Sequence, residues 1–583
     1  MIWKSKLVKL FIVVIILNLP ISVLAAYWQP VQESPERFHP IESNYGMVAT
    51  QESIATDVGA KILNKGGNAV DAAVAVGFAL AVTMPKAGNL GGGGFMLIWL
   101  NDKKKAIAIN YREKAPMAAT KDMFLDKNGN VDEDLISGTY KASGVPGTVK
   151  GLILAEKKYG KLSLKEVIQP AIDLAENGFE VSYPMAESLS DAKDWLFGHP
   201  ETRKIFLNKN NQPYKAGQWL VQKQLAETLK RIRDTNGDDF YTGKTAKILV
   251  KDMKANGGLI TLADLKSYHA EELEPVKGTY KGYKIYSMPP PSSGGVTLIE
   301  LLNILEGFDL EKFGLNSAES IHLMTEAESY AYNDRNSDLG DPDFVHNPVE
   351  HLVSKSYADS IRKQINYDKH VPSNKISDVK VINNESNQTT QFSVVDHDGN
   401  MVSNTYTLNY SYGNGIIVKD LGFFLNNEMD DFTAKVGVAN SFGLVQGKAN
   451  SIEPGKRPLS SMTPTIIITK DNQPFLATGS PGGSRIITTT LQVILNMITH
   501  HLNLQSAVNT PRVHSQLWPD QIQIEQGISP DTIKILEKMG HQVVLDAAMG
   551  SANSVSYQDD MFYGARDPRR AGALAEGDND FKH

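Results

Sequence analysis

Two threonines and a pair of glycines have the types and spacing that acyl transfer needs. A strand-like run, Thr389–Asp396, is followed by His397-Asp398-Gly399 and a second run, Asn400–Asn409. The three residues between them suit a hairpin loop, with glycine at the left-handed position. Setting Asp396 opposite Asn400 places Thr389 opposite Thr407. In that register the Thr407 hydroxyl can donate a hydrogen bond to the Thr389 hydroxyl, orienting it and easing its deprotonation. A Thr–Thr cross-strand pair is equally an ordinary sheet contact. An internal threonine has no adjacent base. A threonine at a chain terminus has its own α-amino group, which titrates near 8 and takes the hydroxyl proton directly or through water. Downstream, Gly482-Gly483 open a predicted helix, Arg485–His500. Adjacent backbone N–H groups without side chains, at the positive end of a helix, suit a developing oxyanion. Each such donor typically lowers the barrier by about 2.7–4 kcal/mol.

The elements that must hold these residues follow from patterning. Ser53–Leu63 has apolar residues at helical spacing and stops at Gly66-Gly67. Ala69–Val82 is apolar nearly all round and is expected as a buried helix. The run Gly88–Gly94 precedes a strand, Phe95–Leu100, and a second strand, Ala106–Tyr111, ends at Arg112-Glu113. A dinucleotide fingerprint has strand, glycines, then helix; here helix comes first, so the run is expected to serve close backbone packing. Asp126–Asp132 resembles a calcium loop but has Val131 where an EF-hand requires glycine, which favours a plain turn. Gly237–Thr245 has five residues between its glycines where a P-loop has four. Two of the five, Asp238 and Asp239, would repel phosphate. Leu162–Leu265 is mostly helical, Pro289–Gly295 forms a rigid turn before the helix Val296–Glu306, and Ala318–Arg335 is another helix. Tyr367–Ser386 is rich in Lys, Asn, Ser and Asp and is expected to be solvated and mobile. Strands Thr465–Thr469 and Phe475–Thr478 lie further on.

Composition bounds the function. The 583 residues are 41% hydrophobic and 21% charged, as in globular proteins. Lys4, Lys6 and Lys9 precede an apolar run to Val23, and Val23-Leu24-Ala25 suits cleavage, so residues 1–25 are expected to be a signal peptide. The run is short for a membrane span and contains Pro20. Removing it moves the net charge from −7 to −10, and no basic surplus remains for nucleic acid. The chain has no cysteine, which excludes thiol nucleophiles, disulfides and thiolate metal sites. No metal signature or cofactor motif is present. The expected location is periplasmic or secreted, with no membrane span after cleavage.

Eight stretches together, in order and spacing, resemble the gamma-glutamyltranspeptidase family. They are Gly88–Phe95, Tyr111-Arg112-Glu113, Gly144–Gly147, Asn387–Asp396, Thr405–Asn409, Asn426–Asp431, Lys456–Met462 and Gly479–Arg485, within a match running from about Gly46 to Asp567. The resemblance implies an α+β fold of the N-terminal nucleophile hydrolase type, a four-layer αββα sandwich. It implies a precursor that cleaves itself between Gln388 and Thr389 into a large subunit (26–388) and a small one (389–583), which stay paired without a covalent link. Thr389 would be the nucleophile, assisted by Thr407, with Gly482 and Gly483 as the oxyanion hole. Arg112 would offer a bidentate fork to the substrate α-carboxylate, joined by Ser460 and Ser461, while Asn409, Glu428 and Asp431 hold the α-ammonium. Glu428 stands where relatives carry Gln or Glu. The long loop Asp431–Lys456 resembles a lid, with Phe442 at its tip where a tyrosine is common, so a hydroxyl able to close the lid is lost. The implied reaction cleaves γ-glutamyl amides such as glutathione and passes the glutamyl group to water, amino acids or peptides. The alternative is a cephalosporin (glutaryl) acylase of the same fold. A non-catalytic exported binding protein would not need Thr389, Thr407 and Gly482-Gly483 intact.

Replacing Thr389 by alanine is expected to leave the chain uncut and inactive. Unaltered protein should run as two pieces of roughly 40 and 20 kDa, at about 110 Da per residue. Normal turnover by Thr389→Ala would remove the assignment.

Overall fold

The hairpin that carries the two threonines lies at the centre of a seven-stranded antiparallel sheet. Its strands, Thr390–Val395 and Met401–Thr407, pair with Thr390 opposite Tyr406 and Val395 opposite Met401, the register expected from the loop. The computed structural model describes residues 38–377 and 389–577; the expected signal peptide and Gln388 lie outside them. Met47–Thr50 and then Leu574–Gly577 flank the hairpin on one side. Gly93–Leu100, Lys105–Asn110 and Glu271–Leu273 continue the sheet on the other. A second seven-stranded antiparallel sheet runs in the order 41–43, 561–565, 554–558, 474–478, 465–468, 283–287 and 276–280.

Strand periodicity divides these residues among three apolar layers. Odd-numbered Phe95, Leu97 and Trp99, with Val395 and Met401, meet Ile466, Ile468 and Ala477 of the other sheet. Even-numbered Met96 and Ile98, with Phe392, Val394, Val402 and Tyr406, face a helical layer containing Ala69–Thr83. On the far side, Ile467 and Leu476 pack on helices Gly294–Leu305, Ala318–Asp338 and Arg485–Ile498. The order is therefore helix, sheet, sheet, helix, which is the expected four-layer αββα sandwich. Ala69–Thr83 is buried at every position, as its Ala/Val content predicts. Among the described residues no helix is long and apolar enough to cross a membrane.

Thr389 and Thr407 are odd-numbered and face the space between the sheets. That face turns polar near them: Gln391, Ser393, Ser403 and Thr405 are buried, and Ser403 Oγ donates to the Thr478 carbonyl at 2.7 Å across the gap. The glycine run packs against the same strand. A Cβ on Gly92 would sit 2.0 Å from the Thr407 carbonyl oxygen, to which Asn89 Nδ2 donates at 2.9 Å. Close approach is thus the use of these glycines, and what they approach is the backbone of Thr407.

The two decoy loops are turns. Asp126 Oδ1 accepts from the amides of Asn128 and Asn130, both at 2.8 Å. At Gly243, the amides of Lys244 and Thr245 donate to the Asp239 carboxylate at 2.7 and 3.2 Å. A chain carboxylate already fills the place where a phosphate would sit. The expectation that Tyr367–Ser386 is solvated holds poorly for its first part. The His370 amide donates to the Met539 carbonyl at 2.8 Å, and Ser373 is buried with its amide on Asp520 at 3.0 Å. Composition reported the polar residues but not the partners that pin them; residues 378–386 lie outside the described residues.

Gly92→Ala is expected to push the Thr407 strand outward, destabilising the protein by about 1–3 kcal/mol, the usual cost of overpacking, and lowering activity more than its fold. Thermal melting and turnover together check this. Wild-type values for both would show that the close approach has no such role.

Candidate active site

The Thr389 hydroxyl donates to the Thr407 hydroxyl at 3.0 Å, and the Thr407 oxygen also accepts from the Asn409 amide at 2.9 Å. Thr389 is 9% exposed and has φ of +99°, a value that a β-branched residue adopts only when its surroundings impose it. It lies on the wall of two cavities. One, of about 690 Å³, is an open cleft bordered by Lys86, Trp195, Tyr412 and Arg570. The other, of about 20 Å³, is lined by Arg112, Arg335, Thr407, Asn409, Glu428, Asp431, Phe442, Ser460, Ser461 and Gly483. Every pocket residue expected from the sequence except Gly482 and the undescribed Gln388 therefore borders one small space, together with Thr389.

Gly482 and Gly483 precede helix Arg485–Ile498 with φ of +127° and +58°, which glycine adopts without strain. Among the described residues neither amide donates to a hydrogen bond, so both remain available to an oxyanion. The Ser484 carbonyl accepts from the Tyr332 hydroxyl, which ties this turn to helix Ala318–Asp338.

Arg112 is fully buried, and its fork is occupied. Its two terminal nitrogens donate to Glu428 and Asp431, and Nε donates to the Pro458 carbonyl at 3.2 Å. The sequence pattern suggested a fork open to a carboxylate; the chain's own acids hold it instead. Burial works against the Arg112 charge, but Glu428, Asp431 and Glu113 outweigh it and keep the guanidinium protonated. Three carboxyl groups crowd one guanidinium, and not all of them stay ionised. Burial pushes the Glu113 carboxyl up to about 7, against the pull of Arg112, and pushes Glu428 well above the carboxylate range, with Glu113 and Asp431 adding to it. Glu428 Oε2 and both Glu113 oxygens have no hydrogen-bond partner among the described residues. Such orphaned acceptors mark a place where a donor is missing. Asn426 sets Glu428 in place: its Oδ1 accepts from the Glu428 amide at 3.0 Å, and its Nδ2 donates to the carbonyls of Gly91 and Gly144 at 2.7 and 2.8 Å.

The serines line the same cavity. The Ser460 carbonyl accepts from the Ser293 amide at 2.8 Å and hydroxyl at 2.7 Å, so the rigid turn Pro289–Gly295 anchors them. Ser460 Oγ accepts from the Met462 amide at 3.1 Å and Ser461 Oγ from Arg335 Nη2 at 2.8 Å. The loop between Asp431 and Lys456 covers the pocket. The Phe442 ring lies over Gly483, where an added Cβ would come within 2.4 Å of it, and stands edge-on to Tyr410 at 6.3 Å. Phe442 has no hydroxyl, but its neighbour Ser441 bonds the Tyr410 hydroxyl, which also donates to Asp430 at 3.1 Å.

Arg335, Tyr332 and Asn426 went unassigned in the sequence. The signal available was a helix, 318–338, carrying Glu326, Glu328 and Arg335 with no separate polar face; all three are buried. One group elsewhere among the described residues has metal-ligand character: His322, Glu326 and His541. Its atoms are already paired. His322 Nδ1 and His541 Nε2 share a hydrogen bond at 2.7 Å, His322 Nε2 bonds the Asn366 carbonyl at 2.6 Å, and His370 bridges Glu326 and Asp520 at 2.7 and 2.9 Å.

Four layers with a threonine at a strand's start, a glycine turn beside it and a charged pocket behind define the N-terminal nucleophile hydrolase class. The family model described as Gamma-glutamyltranspeptidase matches residues 55–577. The glutathione hydrolase proenzyme of Escherichia coli (strain K12) is 51% identical over 541 residues, covering 93% of each chain. Among solved structures, the cephalosporin acylase from Bacillus halodurans is similar with a TM-score of 0.81 at 28% identity, covering 94% of this chain and 98% of its own. The Helicobacter pylori gamma-glutamyltranspeptidase gives 0.55 at 48% identity, covering 56% of this chain and 93% of its own. The chain belongs to the gamma-glutamyltranspeptidase family.

The raised carboxyls of Glu113 and its neighbour Glu428 predict a pH dependence. Burial pushes Glu113 up to about 7, so it is protonated below that pH and loses the proton above it, while Glu428 is raised well above the carboxylate range. A substrate ammonium should bind better as the proton leaves, and KM for an ammonium-bearing donor should fall roughly threefold or more between pH 6 and 8, the size of a ~1 kcal/mol charged contact. Glu428→Gln should flatten that trend; an unchanged KM profile in this variant would contradict the pairing.

Proposed function

We propose that the chain is a γ-glutamyl hydrolase and transferase that acts on glutathione and related γ-glutamyl amides, after cutting itself between Gln388 and Thr389. The observation that carries this reading is the 3.0 Å Thr389–Thr407 hydroxyl pair on the wall of a pocket lined by Arg112, Glu428, Asp431, Ser460 and Ser461. Maturation begins when the Thr389 hydroxyl attacks the Gln388 carbonyl; the ester formed by acyl shift is hydrolysed, which frees the Thr389 amine. The E. coli relative carries the name proenzyme, in keeping with a precursor.

In turnover the freed α-amine takes the hydroxyl proton while the oxygen attacks the γ-carbonyl. Thr407 holds the hydroxyl in line. The amides of Gly482 and Gly483 stabilise the oxyanion, which collapses as the leaving amine takes the proton, leaving a glutamyl ester on Thr389. Water or an acceptor amine then attacks that ester, and its proton returns through the same α-amine. The α-ammonium of the donor meets Glu428, Asp431 and Asn409, whose excess of acceptors suits it. The α-carboxylate lies against the Ser460 and Ser461 hydroxyls with Arg112 near. A cavity of about 20 Å³ holds little more than one water, so the loop bearing Phe442 lifts to admit the donor. Amino-acid or peptide acceptors approach from the larger cleft, which is lined by both bases (Lys86, Arg570) and acids (Glu52, Glu187, Asp191). The location is periplasmic or secreted, the two pieces stay paired, and no cofactor takes part.

The related acylase fold sets the competing reading, and the ammonium end of the pocket separates the two. A glutaryl group has no ammonium and would leave the buried acids unpaired. The purified protein is expected to cleave L-γ-glutamyl-4-nitroanilide with kcat/KM about 100-fold or more above that for glutaryl-4-nitroanilide. Preference for the glutaryl compound would replace this reading with the acylase one.

A further inference from the structure

Arg335 differs from the other buried cation of the pocket in having no counter-ion. It is 1% exposed, on the last turn of helix Ala318–Asp338, and lines the same cavity as Thr389, Arg112 and the two serines. Nη2 donates to Ser461 Oγ at 2.8 Å and Nη1 to Asn336 Oδ1 at 2.8 Å, whereas Nε has no partner. Among the described residues no carboxylate lies within ion-pair distance of it, Asp431 acting on it only from further off, although Arg112, in the same cavity, is bound by two. A buried guanidinium held only by neutral groups is costly to desolvate and is relieved when an anion arrives.

The bond to Ser461 has a directional consequence. A hydroxyl has one hydrogen to give and lone pairs to accept with. The Arg335 N–H occupies the accepting side of Ser461, so the Ser461 hydrogen is left to point at something else. Ser460 is in the same state, since its oxygen accepts from the Met462 amide. Two hydroxyl donors thus share one wall of the cavity, with an unpaired positive charge behind one of them. In the same cavity, Arg112 is surrounded by Glu113, Glu428 and Asp431. An unpaired guanidinium, two hydroxyl donors and a group of acceptors thus border one small space, a set that suits a zwitterionic head group.

We propose that Arg335 is a positioning residue for the donor's α-carboxylate, fixing the Ser461 hydroxyl as a donor and supplying the unpaired positive charge behind it. This rests on the γ-glutamyl reading of the pocket. Recognition of the carboxylate by Ser460, Ser461 and Arg112 then also depends on helix Ala318–Asp338, through Arg335.

The test compares two anilides, L-γ-glutamyl-4-nitroanilide and its counterpart with an α-carboxamide in place of the α-carboxylate. They are assayed with the full-length protein and with Arg335→Gln and Arg335→Lys, after gel and thermal-melt checks that each variant is cut and folded. Arg335→Gln is expected to raise KM for the carboxylate donor tenfold or more with a smaller change in kcat. Its kcat/KM preference for carboxylate over carboxamide should fall at least tenfold, and Arg335→Lys should recover part of it. If Arg335→Gln is not cut, the preference is read in Arg335→Lys alone, where a several-fold fall is expected because a planar five-donor fork is replaced by a three-donor ammonium. A wild-type preference in the variants, or equal losses on both anilides, would overturn the proposal. Wild-type protein that turns over neither anilide would instead overturn the γ-glutamyl reading on which it rests.

Discussion

The antiparallel register of Thr390–Val395 against Met401–Thr407 is the constraint on which the rest of the site depends. Side chains alternate across a strand, so a slip of one residue would turn Thr389 and Thr407 from the inter-sheet space toward the helical layer. The register is held from several sides. The Asp396 carboxylate accepts from the Asn400 amide within the loop and from the Ala69 amide at the start of the buried helix, both at 2.9 Å. Tyr406 reaches the Gly77 carbonyl of that helix at 3.0 Å, and the glycine run closes on the Thr407 carbonyl. The threonine pair is therefore held in place by the core.

Charge, in contrast, is concentrated where the core would least accommodate it. Arg112, Glu113, Glu428 and Arg335 are all essentially excluded from solvent. Burying charges without complete pairing is unfavourable, and the chain carries several such groups around one small cavity. Under the proposed function, the orphaned carboxyl oxygens and the unpaired guanidinium are complementary to a single ligand type. An amino-acid head group meets both needs at once, whereas a simple acid meets one. In this view specificity arises from groups left unsatisfied in the empty pocket, in line with the rule that polar sites reject ligands which fail to complete them.

What the sequence revealed of this arrangement depended on how local the determinant was. The hairpin register was legible because a three-residue loop fixes it, and the buried helix 69–83 because its composition admits no polar face. The packing role of the Gly88–Gly94 run was legible from element order alone. The occupied fork of Arg112 was not, since its partners lie 316 and 319 residues along the chain. Arg335 was hidden for a similar reason: 126 residues separate it from Ser461, and in the sequence it is one charged residue near a helix end. His370 was read as part of a solvated stretch because composition does not show that Glu326 and Asp520 meet it. That Phe442 carries no hydroxyl was visible, while the bond between the adjacent Ser441 and Tyr410 needed the folded loop.

The central claim is that Thr389 becomes the first residue of a separate chain and there carries the glutamyl group. Acid-quenching the enzyme during turnover of a γ-glutamyl anilide, followed by peptide mass spectrometry of the smaller fragment, tests it directly. The account predicts a fragment whose first residue is Thr389, part of it heavier by one glutamyl group in ester linkage to that residue. A fragment that begins elsewhere, or a glutamyl group found on any other side chain, would contradict it.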